Sequence, residues 1–154
     1  MTITLEAIEA QQSRIAEMIA AFKTQPRASE YRIDAVTIPL APGERFAGPV
    51  LSDDGTLMHY LILLPGDAEE VDFQAANEWA GERSATLPTR QEQALLYANL
   101  KAEFESSWYW SSETHENDSG WAWYTGFVTG SQGSYCKFSQ LRARAVRRFI
   151  PSVI

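Results

Sequence analysis

Four of the chain's five tryptophans fall between Trp108 and Phe127, in company with Tyr109 and Tyr124. Aromatic side chains carry so much apolar area that they must either build a core or form a surface meant for contact. Trp108, Tyr109 and Trp110 make one block, and Trp121, Trp123, Tyr124 and Phe127 a second. The polar run Ser111 to Gly120 lies between them as a loop. At strand periodicity Trp121, Trp123 and Phe127 share one face, with Ala122, Tyr124 and Val128 on the other. At most one of these faces is expected to reach solvent. Glycines at 126, 130 and 133 then separate short strands, and Cys136 reads as a strand residue.

Upstream, Phe46–Leu51 and Thr56–Leu64 flank Ser52-Asp53-Asp54-Gly55, a hairpin signal. The alternation from Tyr31 to Leu40 reads as an earlier strand, broken by Pro39, Pro42 and Gly43. Asp72 is placed to cap a helix through Phe73, Ala76 and Trp79, with Gly81 as its stop. Thr89-Arg90-Gln91-Glu92 is a capping box opening a helix with Ala94, Leu95, Ala98 and Leu100 on its apolar side.

At the N-terminus Leu5, Ile8, Gln12, Ile15, Ile19 and Phe22 are spaced three and four apart, an a/d seam with one polar member. A helix is expected over about residues 3–24, capped by Thr2 or Thr4 and ended by Pro26. The seam fits pairing with further copies, from dimer to tetramer, and equally an amphipathic helix lying across its own domain. The 154 residues therefore divide into a helix over 1–25 and one domain over 26–154, joined by a linker at 25–32. A composition of 45% hydrophobic and 21% charged residues excludes a wholly disordered chain.

The formal charge of −7 is uneven. Four of the 13 basic residues, Arg142, Arg144, Arg147 and Arg148, lie in a 138–154 segment without acids, which leaves 9 basic against 20 acidic residues elsewhere. An acidic body argues against nucleic acid as a partner. The tail reads as a last strand whose arginines point alternately outward. One cysteine excludes an internal disulfide and a cysteine-based zinc site. No secretory signal and no apolar run of about 20 residues is present, so membrane insertion is not expected and the chain is placed in the cytoplasm or on a virus particle.

The blocks Leu87-Pro88-Thr89-Arg90, Tyr109-Trp110-Ser111-Ser112 and Arg144-Ala145-Val146-Arg147-Arg148 resemble the signature of the bacterial and phage C-type-lectin-like domains, one of which caps a collagen-like bacterial adhesin. The resemblance spans about residues 57–150. With its N-terminal helix, the chain is similar to small proteins of temperate phages and prophages. The resemblance implies an α+β fold with two helices flanking a small twisted antiparallel sheet and long loops carrying the variable surface. It also implies that the first and last strands pair, setting 31–40 or 46–51 beside 143–149.

The candidate ligand-binding residues are Trp108, Glu113, His115, Glu116, Asn117, Asp118, Trp121, Trp123 and Tyr124. Calcium takes about 6–8 oxygen ligands, and the loop offers several, yet it lacks the Glu-Pro-Asn and Gln-Pro-Asp triplets and the Trp-Asn-Asp motif of calcium-dependent lectins. Its ordinary reading is a solvated polar loop, so no metal or cofactor is expected. His59, in an apolar strand, reads as a hydrogen-bonded structural residue. No nucleophile elbow or phosphate-binding glycine loop appears. Formylglycine-generating enzymes, which share the lectin-like fold, need two cysteines, and the chain is not expected to be an enzyme. Three functions stay open: a binding module recognising a glycan or host protein, an intracellular phage effector inhibiting a host protein, and a minor structural component of a virion.

Overall fold

Thr4 opens the first helix. Its hydroxyl accepts a hydrogen bond from Ala7 N at 3.3 Å and caps α1, Leu5–Lys23. The computed structural model describes residues 2–24 and 30–151, in two compact units, Met1–Ala35 and Val36–Ile154. α1 buries none of its residues. Leu5, Ile8, Ile15, Ile19 and Phe22 are all exposed along it, with Met18 beside them. The expected stop at Pro26 and the 25/26 boundary lie outside the described residues.

In the second unit, β1 (Arg45–Leu51) and β2 (Leu57–Leu63) form the expected hairpin. Asp54 holds its turn. Its carboxylate accepts bonds from the Ser52 hydroxyl and from the Thr56 hydroxyl and amide, and these hold its pKa down to about 2. Residues 30–41 form no strand, which corrects the reading of 31–40. Alternation alone makes no ladder, and this segment has no partner strand among the described residues. Its carbonyl at Pro39 accepts instead from the Arg147 guanidinium at 2.8 Å.

The chain continues through β3 (Ala68–Val71), α2 (Phe73–Glu82), α3 (Arg90–Leu100), β4 (Trp108–Thr114), β5 (Trp121–Gly126), β6 (Gln132–Cys136), β7 (Leu141–Ala143) and β8 (Val146–Phe149). The fold is α+β, with two sheets where one was expected. A three-stranded sheet runs β1-β2-β8, and a five-stranded sheet runs β3-β7-β4-β5-β6. The five-stranded sheet is mixed, because β4 meets β7 in parallel at Tyr109↔Arg142. The strand joined to the C-terminal β8 is β2, from Tyr60↔Phe149 to Leu63↔Val146. β1 lies one place further out, so the implied pairing with 46–51 is corrected.

Asp72 caps α2 as expected, accepting from Ala75 N at 2.8 Å. Gly81 is not its stop. It sits inside the last turn, and Ser84 takes the left-handed position at φ +54°. The capping box of α3 is complete in both directions. Of its expected apolar side, Leu95 and Leu100 pack against the core, whereas Ala94 and Ala98 are exposed and the fully buried residues are Glu92, Gln93 and Leu96. The inward polar groups tie the helix to the sheet. Gln93 Nε2 donates to the carbonyls of Tyr109 and Trp110, and its Oε1 accepts from the Thr125 hydroxyl at 2.7 Å.

Successive residues of β4 enter different cores. Tyr109 joins Phe127, Leu61, Leu63, Leu96 and Val146 in one. Trp110 enters the other among Ala76, Ala80, Ala122, Ala143 and Ala145. The small residues from α2, β5 and the β7 end make room for the indole. Trp110 Nε1–H donates to Val71 O at 2.9 Å, so its polar end is satisfied.

Candidate ligand-binding surface

β4 runs further into the polar run than its composition suggests. Ser111–Thr114 are strand, and the connecting turn is confined to 115–120. Here His115 N donates to Trp121 O at 2.8 Å and closes the hairpin. The polar side chains are committed locally. Asp118 Oδ1 accepts from Gly120 N. Glu116 accepts from Trp123 Nε1 at 3.0 Å, and that bond heads the contacts holding its pKa below the usual carboxylate value. His115 Nδ1 accepts from Asn117 N while its ring stacks on Trp123. Asn117 is exposed. Glu113 points away from the turn, to the N-terminus of α3, where it accepts from Arg90 N at 2.6 Å. No group of three or more His, Cys, Asp or Glu side chains is arranged to hold a metal among the described residues.

The four aromatic candidates divide into two sets. Trp123 is half-buried beneath the Arg90 guanidinium, 3.5 Å above its ring. Arg90 Nε donates to Gln132 at 3.0 Å, which fixes the stack. Phe127, expected on the face of Trp123, lies beyond the end of β5 and is buried in the first core.

Trp108 and Tyr124 belong to the second set, which faces outward. Their rings stack with centroids 4.6 Å apart at 19°. Tyr135 sits against both, at 5.8 and 6.4 Å, and Trp121 lies 6.2 Å from Tyr135. Trp108, Trp121 and Tyr135 remain 43%, 40% and 41% exposed. Two glycines seat the pair. Gly126 is the ladder partner of Trp108, and a Cβ there would stand 3.2 Å from the indole. Gly133 is the partner of Tyr124, and a Cβ there would stand 2.8 Å from the phenol oxygen. The rings therefore lie down across the neighbouring strand.

Tyr135 was missed by sequence reasoning, although it follows from the period of β6 once Ala122↔Tyr135 is the register. Also missed is a cleft of ≈ 420 Å³ beside Trp108, bordered by Glu69, Glu70, Ser107, Gln140 and Arg142. These residues come from segments some forty residues apart, and nothing local marks their meeting.

A second groove, of ≈ 740 Å³, opens over His59, Arg90, Glu92 and Arg148. His59 is the structural residue expected of it, with Nε2 2.8 Å from Glu92 Oε2. Glu92 also accepts from Thr89 N and from Arg148 Nε and Nη2. Burial alone would raise the Glu92 pKa. The bonds from Arg148, Thr89 and His59, with the Arg148 charge, outweigh it and hold the carboxyl below its ordinary value.

The C-terminal arginines do not point alternately outward. Arg142 pairs with Asp67 and Glu69, both at 3.1 Å. Arg144 is buried, donating to the carbonyls of Glu103 and Leu64. Arg147 pairs with Glu44, and Arg148 with Glu92. The partners are acids and carbonyls brought in from 44 to 103, which the tail alone does not reveal. None of the helices among the described residues is long and apolar enough to cross a membrane. Compared with known proteins, the chain matches no family model and no curated protein.

Proposed function

We propose that the chain is a non-enzymatic recognition module of the phage and prophage C-type-lectin-like class, assembled into oligomers by α1 and reading a glycan or a host protein with its outward aromatic face. The observation that carries this reading is Trp108, 43% exposed, stacked on a half-buried Tyr124 that packs against the second core, the two rings seated over Gly126 and Gly133. A fold that only needed these rings for stability would bury them, as it buries Trp110. Exposed, pre-positioned aromatics instead lose little entropy on contact and serve as anchors. The lectin-like assignment is supported by the capping box at Thr89 opening α3 and by Tyr109 and Trp110, which enter one core each. Copies joined through α1 would give weak sites a high effective concentration.

The test is capture from a whole bacterial lysate containing envelope. Native chain is compared with a Trp108→Ala, Tyr135→Ala double variant, and bound material is identified by mass spectrometry. The expected result is a glycan or protein retained by the native chain and lost from the variant. Identical capture by both would overturn the aromatic face as the site.

A second reading, an intracellular effector that inhibits a host protein, is favoured by the internal pairing of the C-terminal arginines, which leaves the acidic residues to dominate the surface. It predicts one host protein bound in stoichiometric amount and the chain missing from purified particles. A structural virion component predicts the reverse on both counts.

A further inference from the structure

We propose that the cleft beside Trp108 receives the guanidinium or ammonium group of a basic segment on a partner protein. The inference rests on the recognition reading above and narrows it to a protein carrying Arg or Lys.

Three observations carry it. Trp108 lines the cleft, and its ring is backed by Tyr124 at 4.6 Å. A partly exposed indole attracts a cation through its negative face. The cleft is also negative. Glu69 and Glu70 line it, and the Arg142 guanidinium there is shared between Asp67 and Glu69. Two carboxylates on the lining thus stand against one guanidinium that Asp67, outside the lining, also engages, and Glu70 makes no ion pair among the described residues. Ser107 and Gln140 on the rim supply neutral hydrogen-bonding groups. Finally, the body itself offers no competing cation. Each of the nine basic residues in 36–151 is engaged internally by a carboxylate, a carbonyl or an aromatic face. A positive side chain from outside meets Glu70, with Arg142, the one cation on the lining, already held by Asp67 and Glu69.

The same molecule's Arg90–Trp123 stack shows the geometry such a contact takes. There the guanidinium lies 3.5 Å above an indole and donates to a neutral amide, Gln132. Trp108, with Gln140 beside it, offers the corresponding groups with the guanidinium position supplied by the partner.

The probes are N-acetyl-arginine amide and N-acetyl-lysine amide, with N-acetyl-norleucine amide as the neutral control. Binding is read from the indole N–H resonance of Trp108 in the full chain, assigned with Trp108→Phe. The cationic probes are expected to shift Trp108 with millimolar affinity, about tenfold more tightly than the control at low salt, and to weaken as salt is raised. Glu70→Gln is expected to weaken them about threefold while leaving the other indole resonances in place. A control that binds as tightly as the cations, or an unmoved Trp108 at saturating probe, overturns the proposal. A panel of neutral monosaccharides that moves Trp108 where the cations do not also overturns it, while leaving the aromatic face standing as a sugar site. Failure of the wider reading looks different: lysate capture is then insensitive to Trp108 and Tyr135.

Discussion

Glu92 does the most cross-linking of any single side chain described. Its two oxygens accept from Thr89 N, Arg148 Nε and Nη2, and His59 Nε2, joining the start of α3 to β2 and β8. Four donors around one carboxylate satisfy it fully, and this permits a charge with 1% side-chain exposure. Glu92→Gln keeps the shape, removes the charge and leaves Arg148 facing an amide. The expected loss is about 3 kcal/mol in urea unfolding at neutral pH, the scale of a broken buried pair. A loss within experimental error would show that the network is not held by charge. The pH dependence has a definite sign. The folded pKa lies below the unfolded value of about 4.3. The contribution is therefore complete above that value and is lost as pH falls from there through the folded pKa. The native chain should lose stability across that acid window more steeply than Glu92→Gln. Parallel pH profiles would remove Glu92 as the source. The capping role of Glu92 was legible in Thr89-Arg90-Gln91-Glu92, because a capping box is local. Its bonds to His59 and Arg148 were not, because they span 33 and 56 residues.

Among the elements, legibility followed the range of the interactions. The β1–β2 hairpin and both N-caps of α2 and α3 were readable, since turn chemistry and capping act over three or four residues. The segment 31–40 was not, since a strand exists only where a neighbour accepts its ladder. The polar run at 111–120 misled in the opposite sense. Ser111 and Glu113 look like loop residues, but inside a strand Ser111 is buried and Glu113 reaches Arg90 N. The candidate site was half legible: Trp108, Trp121 and Tyr124 stand out by composition, whereas Tyr135 and the Glu69–Glu70 rim depend on register and long-range approach. α1 is the element whose apolar seam is left exposed along its own length. Five apolar seam residues lie exposed in a stripe along it, with Gln12 as the polar member. Burying such a side chain recovers about 1.5–3 kcal/mol, which is the gain that the proposed assembly through α1 would draw on. Ile15→Asp with Ile19→Asp is expected to reduce the native oligomer mass to that of a soluble monomer in light scattering, with the fold of 36–151 retained by circular dichroism. Native mass in the double variant would exclude α1 as the assembly element.

For the whole molecule the decisive property is where its charges end. The 138–154 segment looks like a basic tail in sequence, yet each of its arginines is consumed inside the body. Exposed carboxylates such as Asp53, Glu70, Glu82 and Glu105 make no ion pair among the described residues. Within residues 36–151, where 15 acidic residues stand against 9 basic ones, the excess charge is thus expressed outward as negative potential. Binding to polyanions depends on cations free to displace counterions from phosphate or sulfate, and an arginine already held by a carboxylate must first lose that partner. The chain is therefore expected to pass unretained through double-stranded DNA and heparin columns at low salt and neutral pH, and to bind an anion exchanger. Retention on DNA that survives removal of the charges at Arg14, Lys23, Arg27 and Arg32 would mean that the C-terminal pairs open at little cost, and the tail would return as a nucleic-acid contact. Retention on heparin alone would point to a sulfated glycan and against a cationic partner at Trp108. Passage through both, with binding of the arginine probe, is the pattern that the internal consumption of cations requires.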